Sequence, residues 1–197
     1  MTALRDDALA TLSGWRPEDD AQERLRCDYV AHLEAHPDGL SRTQLPAHVT
    51  AGALVLSADG AAVLLTLHAK AGRWFHLGGH CEPGDRTLAG AALREATEES
   101  GVTDLRLTSP GEPLHLDAHT VDFCGGRAEV RHLDVRYLAV APAGARPVVS
   151  EESLDVRWWP VDALPTDEPG LHEMVARGVS LARGLRGAAG QQSSAVG

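Results

Sequence analysis

The chain has 197 residues, and 43% of them are hydrophobic, which is enough to bury one sizeable core. Acidic residues outnumber basic ones by 28 to 18, and the formal net charge of −10 argues against a nucleic-acid polymer as partner. The three widely spaced cysteines match no disulfide framework or zinc motif. Neither a signal-like start nor a membrane-length apolar run is visible, so we expect a cytoplasmic protein with no membrane partner.

Two helices are predicted at the N-terminus, within residues 1–37. Both carry apolar residues at helical spacing, and Pro17 is suited to open the second helix, which ends near Pro37. The apolar positions are Leu4, Ala8, Leu9 and Leu12, followed by Leu25, Tyr29, Val30 and Leu33. We therefore assign residues 1–40 to a helical extension, which can cover the sheet, shape a substrate pocket or support a homodimer.

The middle of the chain is rich in predicted strands. They lie at 48–57, 61–69, 74–77, 105–108, 114–123, 130–141 and 155–160. Helices are predicted at 87–99 and about 168–185, so residues 41–186 form one α/β domain with a mixed sheet between helices. The small and polar residues 187–197 predict a disordered tail.

The helix predicted at 87–99 carries an unusual concentration of charge. Asp85 or Thr87 can cap its start, and Gly101 lies where a helix often ends. Three acidic residues at positions i, i+3 and i+4 share one face, where like charges repel each other. These residues are Glu95, Glu98 and Glu99.

A hard divalent cation would turn this repulsion into attraction, because Mg²⁺ and Mn²⁺ prefer carboxylate oxygens, and Mg²⁺ recruits substrate phosphates. The alternative is a solvated acidic face in which Arg94 is a local salt-bridge partner. The preceding loop favours a ligand site. Gly78-Gly79 allows the backbone to approach a ligand closely, and Pro83-Gly84 sets a turn.

Residues 79–102 resemble the Nudix box, whose pattern is G-x5-E-x7-R-E-U-x-E-E-x-G-U with U apolar. The matching residues are Gly79, Arg94, Glu95, Ala96, Glu98, Glu99, Gly101 and Val102. The resemblance continues on both sides of the box, at 48–80 and 150–165, and so covers about residues 48–185.

The middle of the box departs from the pattern. Counted forward from Gly79, its middle glutamate falls on Asp85; counted back from Arg94, it falls on Arg86. One residue is therefore inserted between the loop and the helix. The spacing within the helix is unchanged, and whether Asp85 replaces the glutamate stays open.

The resemblance implies an α/β/α sandwich that hydrolyses a diphosphate joined to another group, with Mg²⁺ or Mn²⁺ as cofactor. The implied metal ligands are Glu95, Glu98, Glu99 and the Gly79 carbonyl. Arg94 is then expected to orient a glutamate through a bidentate pair. The general base is either a box glutamate, Glu98 or Glu99, or an acid of a late loop, where Glu151 and Glu152 precede the closing strand. Ordinary surface charge is the alternative for that last pair.

Two further strands carry polar residues in alternation, which projects them to one face. If the strands pair, these residues line one surface suited to phosphate or to a second metal; the alternative is the solvent face of a hairpin. They are His115, Asp117, His119, His132, Asp134 and Arg136. Trp74 or Phe75 is suited to stack on a base, and His80 to face the substrate. The substrate-binding candidates are Trp74, His80, His119, His132, Asp134 and Arg136.

These features predict a divalent-metal-dependent hydrolase acting on a small diphosphate substrate. The candidates are nucleoside diphosphate derivatives, namely a nucleotide sugar, an ADP-ribose-like compound or a nucleoside triphosphate. One alternative is a non-catalytic ligand-binding or regulatory module of the same fold. The other is an isomerase of isoprenoid diphosphates. The intact glutamates favour hydrolysis over both.

Overall fold

The computed structural model describes residues 2–109, 111–121, 129–150 and 153–194, with side chains described as far as residue 187. The helices of this part are α1 Thr2–Gly14, α2 Asp20–Ala35, α3 Leu88–Ser100 and α4 Pro169–Ser194. Its strands are β1 Ala47–Leu56, β2 Ala62–His68, β3 Arg73–Phe75, β4 Leu77–His80, β5 Arg106–Leu107, β6 His115–Val121, β7 Val130–Val140 and β8 Ser153–Pro160. Among these residues, no helix combines the length and hydrophobicity needed to span a bilayer.

The strands form one mixed sheet with β1 near its middle. β1 pairs antiparallel with β2 and β4 and parallel with β7. β7 also holds β5 and β6, while β2 also holds β3 and β8. The predicted α/β/α sandwich is confirmed, because helices pack on both faces of this sheet.

Each face of β1 is buried under different helices. Val49 and Ala51 pack with α1, α2 and α3, while Leu54 and Leu56 pack with α4. Side chains of a strand alternate between its two faces, so His48 and Thr50 lie on the same face as Leu54 and Leu56. The face that packs against α4 is therefore polar at the start of β1 and apolar further along it. One end of this face is therefore core, and the other end is free to form a polar site.

The helix α3 is held at both ends. The Thr87 side chain accepts a hydrogen bond from the Gly90 N–H, and Gly101 ends the helix with φ 65° in the left-handed region. A second cap comes from α1, where Asp7 Oδ2 accepts the Leu88 N–H at 2.8 Å. The N-terminal extension thus supplies a carboxylate to the positive end of the helix that carries the box.

We expect Asp7→Ala to lower the stability of the fold by about 1 kcal/mol, because it removes this cap and leaves an α3 amide without its partner. For a chain of this size the loss corresponds to a fall in Tm of about 2–4 °C. Thermal unfolding followed by circular dichroism measures it. Asp6→Ala is the matched control, because Asp6 is exposed on the same helix. An equal fall in both variants would contradict the cap.

The second helix, α2, covers the outer edge of β6. The amide of buried Gln22 donates to the Leu116 carbonyl at 2.9 Å and accepts the Leu116 N–H at 2.7 Å, as a neighbouring strand would. The Tyr29 hydroxyl donates to the Asp117 carbonyl at 2.5 Å. Of the roles considered for the extension, covering the sheet is the one these contacts support.

The glycine segment before the box is a strand, where the sequence pattern indicated a loop. Gly78 and Gly79 lie in β4 opposite Gly52 and Ala51 of β1. The backbones approach so closely that a Cβ on Gly78, whose φ is 159°, would lie 2.6 Å from the Gly52 Cα. Glycine at positions 52 and 78 permits this pairing, through which the start of the box forms part of the sheet.

The last helix, α4, is longer than predicted. It continues past Gly187 to Ser194, into the segment that the sequence predicts to be a disordered tail. Its buried residues cover the apolar part of the sheet face. Those residues are Leu171, Met174, Val175, Val179 and Ala182.

Candidate active site

Arg94 is the centre of a charged network beside β4. Its guanidinium makes a bidentate pair with Asp85, with Nε–Oδ1 and Nη2–Oδ2 distances of 3.1 and 3.0 Å. Nη1 donates to Glu95 Oε1 at 3.0 Å and to Glu98 Oε2 at 2.9 Å. Nη2 also donates to the His80 carbonyl at 3.0 Å. The bonds to Asp85 raise the pKa of Arg94, so the network keeps its positive centre.

Asp85 forms the bidentate pair with Arg94 that the resemblance to the Nudix box implied for a glutamate. Its side chain is only 7% exposed, and its Oδ2 also accepts the Glu82 N–H at 2.7 Å. Burial raises the pKa of Asp85, but the bonds from Arg94 and Glu82 outweigh burial and hold that pKa below its usual value. Asp85, a shorter acid than the glutamate of the pattern, is therefore an ionised partner of Arg94.

Two box glutamates lie directly against the glycines of β4. Gly78 donates its N–H to Glu99 Oε2 at 2.9 Å. A Cβ on Gly79 would lie 2.8 Å from Glu95 Oε2, so a larger residue there would displace that carboxylate from its present position. Glu99 is 8% exposed and is thus fixed at the base of the site.

Glu98 is the outermost of the three glutamates. Its side chain is 59% exposed and is held by Arg94. Together with Glu95 and Glu99 it lines one side of a cleft of about 1470 Å³. These carboxylates and the adjacent Gly79 backbone form an all-oxygen donor set, which fits a hard divalent cation such as Mg²⁺ or Mn²⁺.

The predicted polar row forms the facing wall. Strands β6 and β7 pair in a register that places the polar residues of one strand opposite those of the other. The pairs are His115 with Arg136, Asp117 with Asp134, and His119 with His132. Asp134 and Arg136 are buried, at 8% and 7% exposure, so this surface is not the solvent face of a hairpin. His115 is buried at the far end of the row and is not among the described residues that line the cleft.

A compact ion network holds this wall together. Arg136 Nη2 donates to Asp117 at 2.9 Å and to Asp134 at 3.1 Å, and the Thr50 hydroxyl also donates to Asp134. Burial raises the pKa of Asp134, but the positive charge of Arg136 and further partners lower it well below its usual value. His119 Nδ1 donates to Asp117 Oδ2 at 2.8 Å, and this bond raises the pKa of His119.

Neutral histidines lie next to this network. Burial and the neighbouring histidines lower the pKa of His80 to about 4, and burial also lowers that of His132 to about 4. His48, fully buried on β1, joins them, and its pKa is lowered by burial as well. Sequence reasoning missed His48, since a single histidine at the start of an apolar strand carries no signal until β1 is known to pair with β7.

Part of the cleft lining is apolar. It includes Trp74 of β3 and Leu171 and Met174 of α4. The Trp74 ring packs edge-on against Trp159, with 5.2 Å between the ring centroids. The Arg157 Cζ lies 5.7 Å from the centroid of each of these rings. The lining of the cleft thus includes both carboxylates and an aromatic ring.

The structure brings most of the predicted site residues to one cleft. The lining includes Trp74, Gly79, His80, Arg94, Glu95, Glu98, Glu99, His119, His132, Asp134 and Arg136. Glu151 and Glu152, the candidate late-loop acids, lie outside the described residues. Exposed Arg42, Lys70 and Arg73 also line the cleft and were not anticipated, because isolated surface cations give no pattern in the sequence.

Comparison with known proteins agrees with this geometry. A NUDIX-family hydrolase from Clostridium perfringens is 25% identical, with a TM-score of 0.54 over 68% of this chain and 97% of that chain. An Ap4A hydrolase from C. elegans is 18% identical, with a TM-score of 0.52 over 69% and 98% of the two chains. The E. coli dihydroneopterin triphosphate pyrophosphohydrolase is also 18% identical, with a TM-score of 0.52 over 66% and 94%.

No curated protein matches the chain. The family model described as NUDIX domain, however, matches residues 46–178, which is more than half of the chain. This range includes the box, both walls of the cleft and the start of α4. The chain therefore belongs to the Nudix hydrolase family and is a pyrophosphohydrolase.

Proposed function

We propose that the protein hydrolyses the diphosphate linkage of a nucleoside diphosphate derivative and depends on Mg²⁺ or Mn²⁺. The observation that carries this proposal is that three α3 glutamates, ordered by Arg94 and the β4 glycines, line one large cleft. An aromatic residue, Trp74, lines the same cleft.

Glu95, Glu98 and Glu99 are the residues that would hold the cation, with the Gly79 carbonyl as a further ligand. A bound divalent cation supplies charge neutralisation and Lewis-acid polarisation for the attack of water on a phosphorus atom. Arg94 keeps two of these carboxylates in place and is itself held by Asp85. The cleft also contains positive charge from Arg42, Lys70 and Arg73. This charge would attract the phosphates of the substrate that the cation does not contact.

The reaction requires an acceptor for one proton of the attacking water. As the water oxygen bonds to phosphorus, the bond between that phosphorus and the bridging oxygen breaks, and the bridging oxygen leaves with the second phosphate. Glu98 is the most exposed of the three box glutamates and is our candidate base. Glu152 is the alternative base from the late loop.

The experiment that tests this function is a substrate panel resolved by anion-exchange chromatography. The panel holds nucleotide sugars, ADP-ribose, nucleoside triphosphates and dinucleoside polyphosphates, each with Mg²⁺, with Mn²⁺ and with excess EDTA. We expect one class to be split at a diphosphate linkage with either metal and none with EDTA. Reaction in ¹⁸O-labelled water identifies the phosphorus that is attacked.

Two controls keep the result specific. The Glu98→Gln protein is the blank for contaminating hydrolases, since it differs by one group in the site. Binding of a nucleotide without turnover across the whole panel would refute the hydrolase and favour the non-catalytic module.

A further inference from the structure

Three histidines from three strands converge on the polar face of the sheet. His48 of β1 lies opposite His132 of β7, and His80 of β4 lies opposite Thr50, two residues after His48. The ring centroids are 5.1 Å apart for His48 and His80, 5.0 Å for His48 and His132, and 5.1 Å for His80 and His132. One ring nitrogen from each lies within 4.8 Å of the other two.

Two of these histidines have buried nitrogens that no neighbour satisfies. Within the part of the chain that the structure describes, Nε2 of His48 and Nε2 of His132 have no hydrogen-bond partner. Buried polar atoms nearly always have one, so these nitrogens call for an explanation. The other nitrogen of His48, Nδ1, lies 3.1 Å from the Gln44 carbonyl.

The contact with Gln44 determines which nitrogen of His48 is free to bind a ligand. A carbonyl only accepts, so Nδ1 must carry the hydrogen, and Nε2 is left with a lone pair. Metal-binding histidines have this arrangement, in which a backbone carbonyl fixes the ring and its tautomer from behind. Fully buried His48 is therefore oriented as a ligand.

We propose that His48, His80 and His132 form a binding site for one borderline transition-metal cation, such as Zn²⁺ or Co²⁺, separate from the glutamate cluster. Imidazole suits these ions, whereas Mg²⁺ requires oxygen ligands. Because His80 and His132 line the cleft, the fourth position of a tetrahedral ion opens toward it and takes water or a phosphate oxygen of a bound ligand.

A neighbouring group, His119, His132 and Asp134, also has closely spaced donor atoms, but it is a weaker candidate. Asp134 already accepts bonds from Arg136 and Thr50, and His119 is bonded to Asp117. The groups share His132, so the site takes one ion. The unsatisfied Nε2 of His48, which only the imidazole set contains, assigns the ion to that set.

The experiment uses full-length protein stripped with EDTA and titrated with Co²⁺ in a large excess of Mg²⁺, which occupies the carboxylates. A tetrahedral imidazole site gives intense visible absorption bands, whereas octahedral Co²⁺ on carboxylates and water absorbs weakly. We expect one equivalent of intensely absorbing Co²⁺ that Zn²⁺ displaces, and a rise in Tm on adding Zn²⁺.

Variants separate the two sites. Removing a residue that only hydrogen-bonds a metal ligand weakens metal binding by about 10- to 100-fold. Removing a ligand itself, in His132→Ala or at partly exposed His80 in His80→Ala, should weaken it at least as much. Glu98→Gln should retain the bands. His172→Ala is the matched control, since His172 is exposed on α4.

The Tm of each variant without metal reports its folding, and His80→Gln replaces any variant that does not fold. The proposal is overturned if no Co²⁺ binds in excess Mg²⁺. It is also overturned if the bands survive in folded His80 and His132 variants or disappear in Glu98→Gln. None of these outcomes depends on turnover, so the site stands or falls independently of the proposed hydrolysis.

Discussion

Replacing Glu98 by Gln is expected to lower kcat by about 100-fold or more, the scale of losing one acid–base group, with almost no change in Tm. Glu98 is the most exposed of the box carboxylates and contacts Arg94, so the isosteric amide removes charge without disturbing the core. Steady-state kinetics on the best panel substrate and a thermal melt measure the two quantities.

Exposure distinguishes Glu98 from its neighbour. Glu99 is buried and accepts the Gly78 N–H, so Glu99→Gln should lose activity and also perturb the packing of α3 on β4. Glu173→Gln is the matched control, because Glu173 is exposed on α4 away from the cleft. Normal turnover by Glu98→Gln would remove this residue from the chemistry and leave Glu152 as the base to test.

Local patterns in the sequence were sufficient to predict the catalytic helix. Apolar spacing, a threonine before the helix and a glycine after it are interactions within a few residues, and Thr87 and Gly101 act as predicted. The alternation of polar residues on β6 and β7 also predicted a shared face. What alternation does not reveal is burial. The solvent-face alternative for Asp134 and Arg136 failed only once the rest of the fold was in place around them.

The features that could not be predicted depend on residues far apart in the chain. His48 meets His132 because β1 and β7 run parallel, and no short-range signal reports that register. The Asp7 cap on α3 likewise joins residues 81 positions apart. The strand character of Gly78 was hidden for a similar reason, since it depends on a second glycine, Gly52, on the partner strand.

Arg94 joins the two halves of the box, which are the loop before α3 and the glutamates on α3. The guanidinium reaches back to Asp85 with one edge and forward to Glu95 and Glu98 with another nitrogen. The spacing of the glutamates is set by α3 itself and does not depend on the loop length.

Arg94→Lys is accordingly expected to be severe despite the conserved charge. An ammonium group cannot make the planar bidentate pair, so it would leave 7%-exposed Asp85 incompletely bonded and Glu95 less well oriented. We expect a stability loss of about 2 kcal/mol, a Tm lower by about 4–8 °C, and a fall in kcat. Arg86→Lys is the matched control. Arg86 is exposed at the position that back-counting from Arg94 assigns to the box acid, and the change there should have no effect.

The pH dependence of this loss tests its cause. Because the folded pKa of Asp85 is lowered, its stabilising contribution is present above its unfolded pKa of about 3.9 and is lost as pH falls through the folded value. Arg94→Lys weakens the interaction that lowers this pKa. The Tm difference between wild type and Arg94→Lys should therefore be largest at neutral pH and shrink below about pH 4. A difference that stays constant down to pH 2 would assign the loss to packing of the arginine side chain and not to its pairing with Asp85.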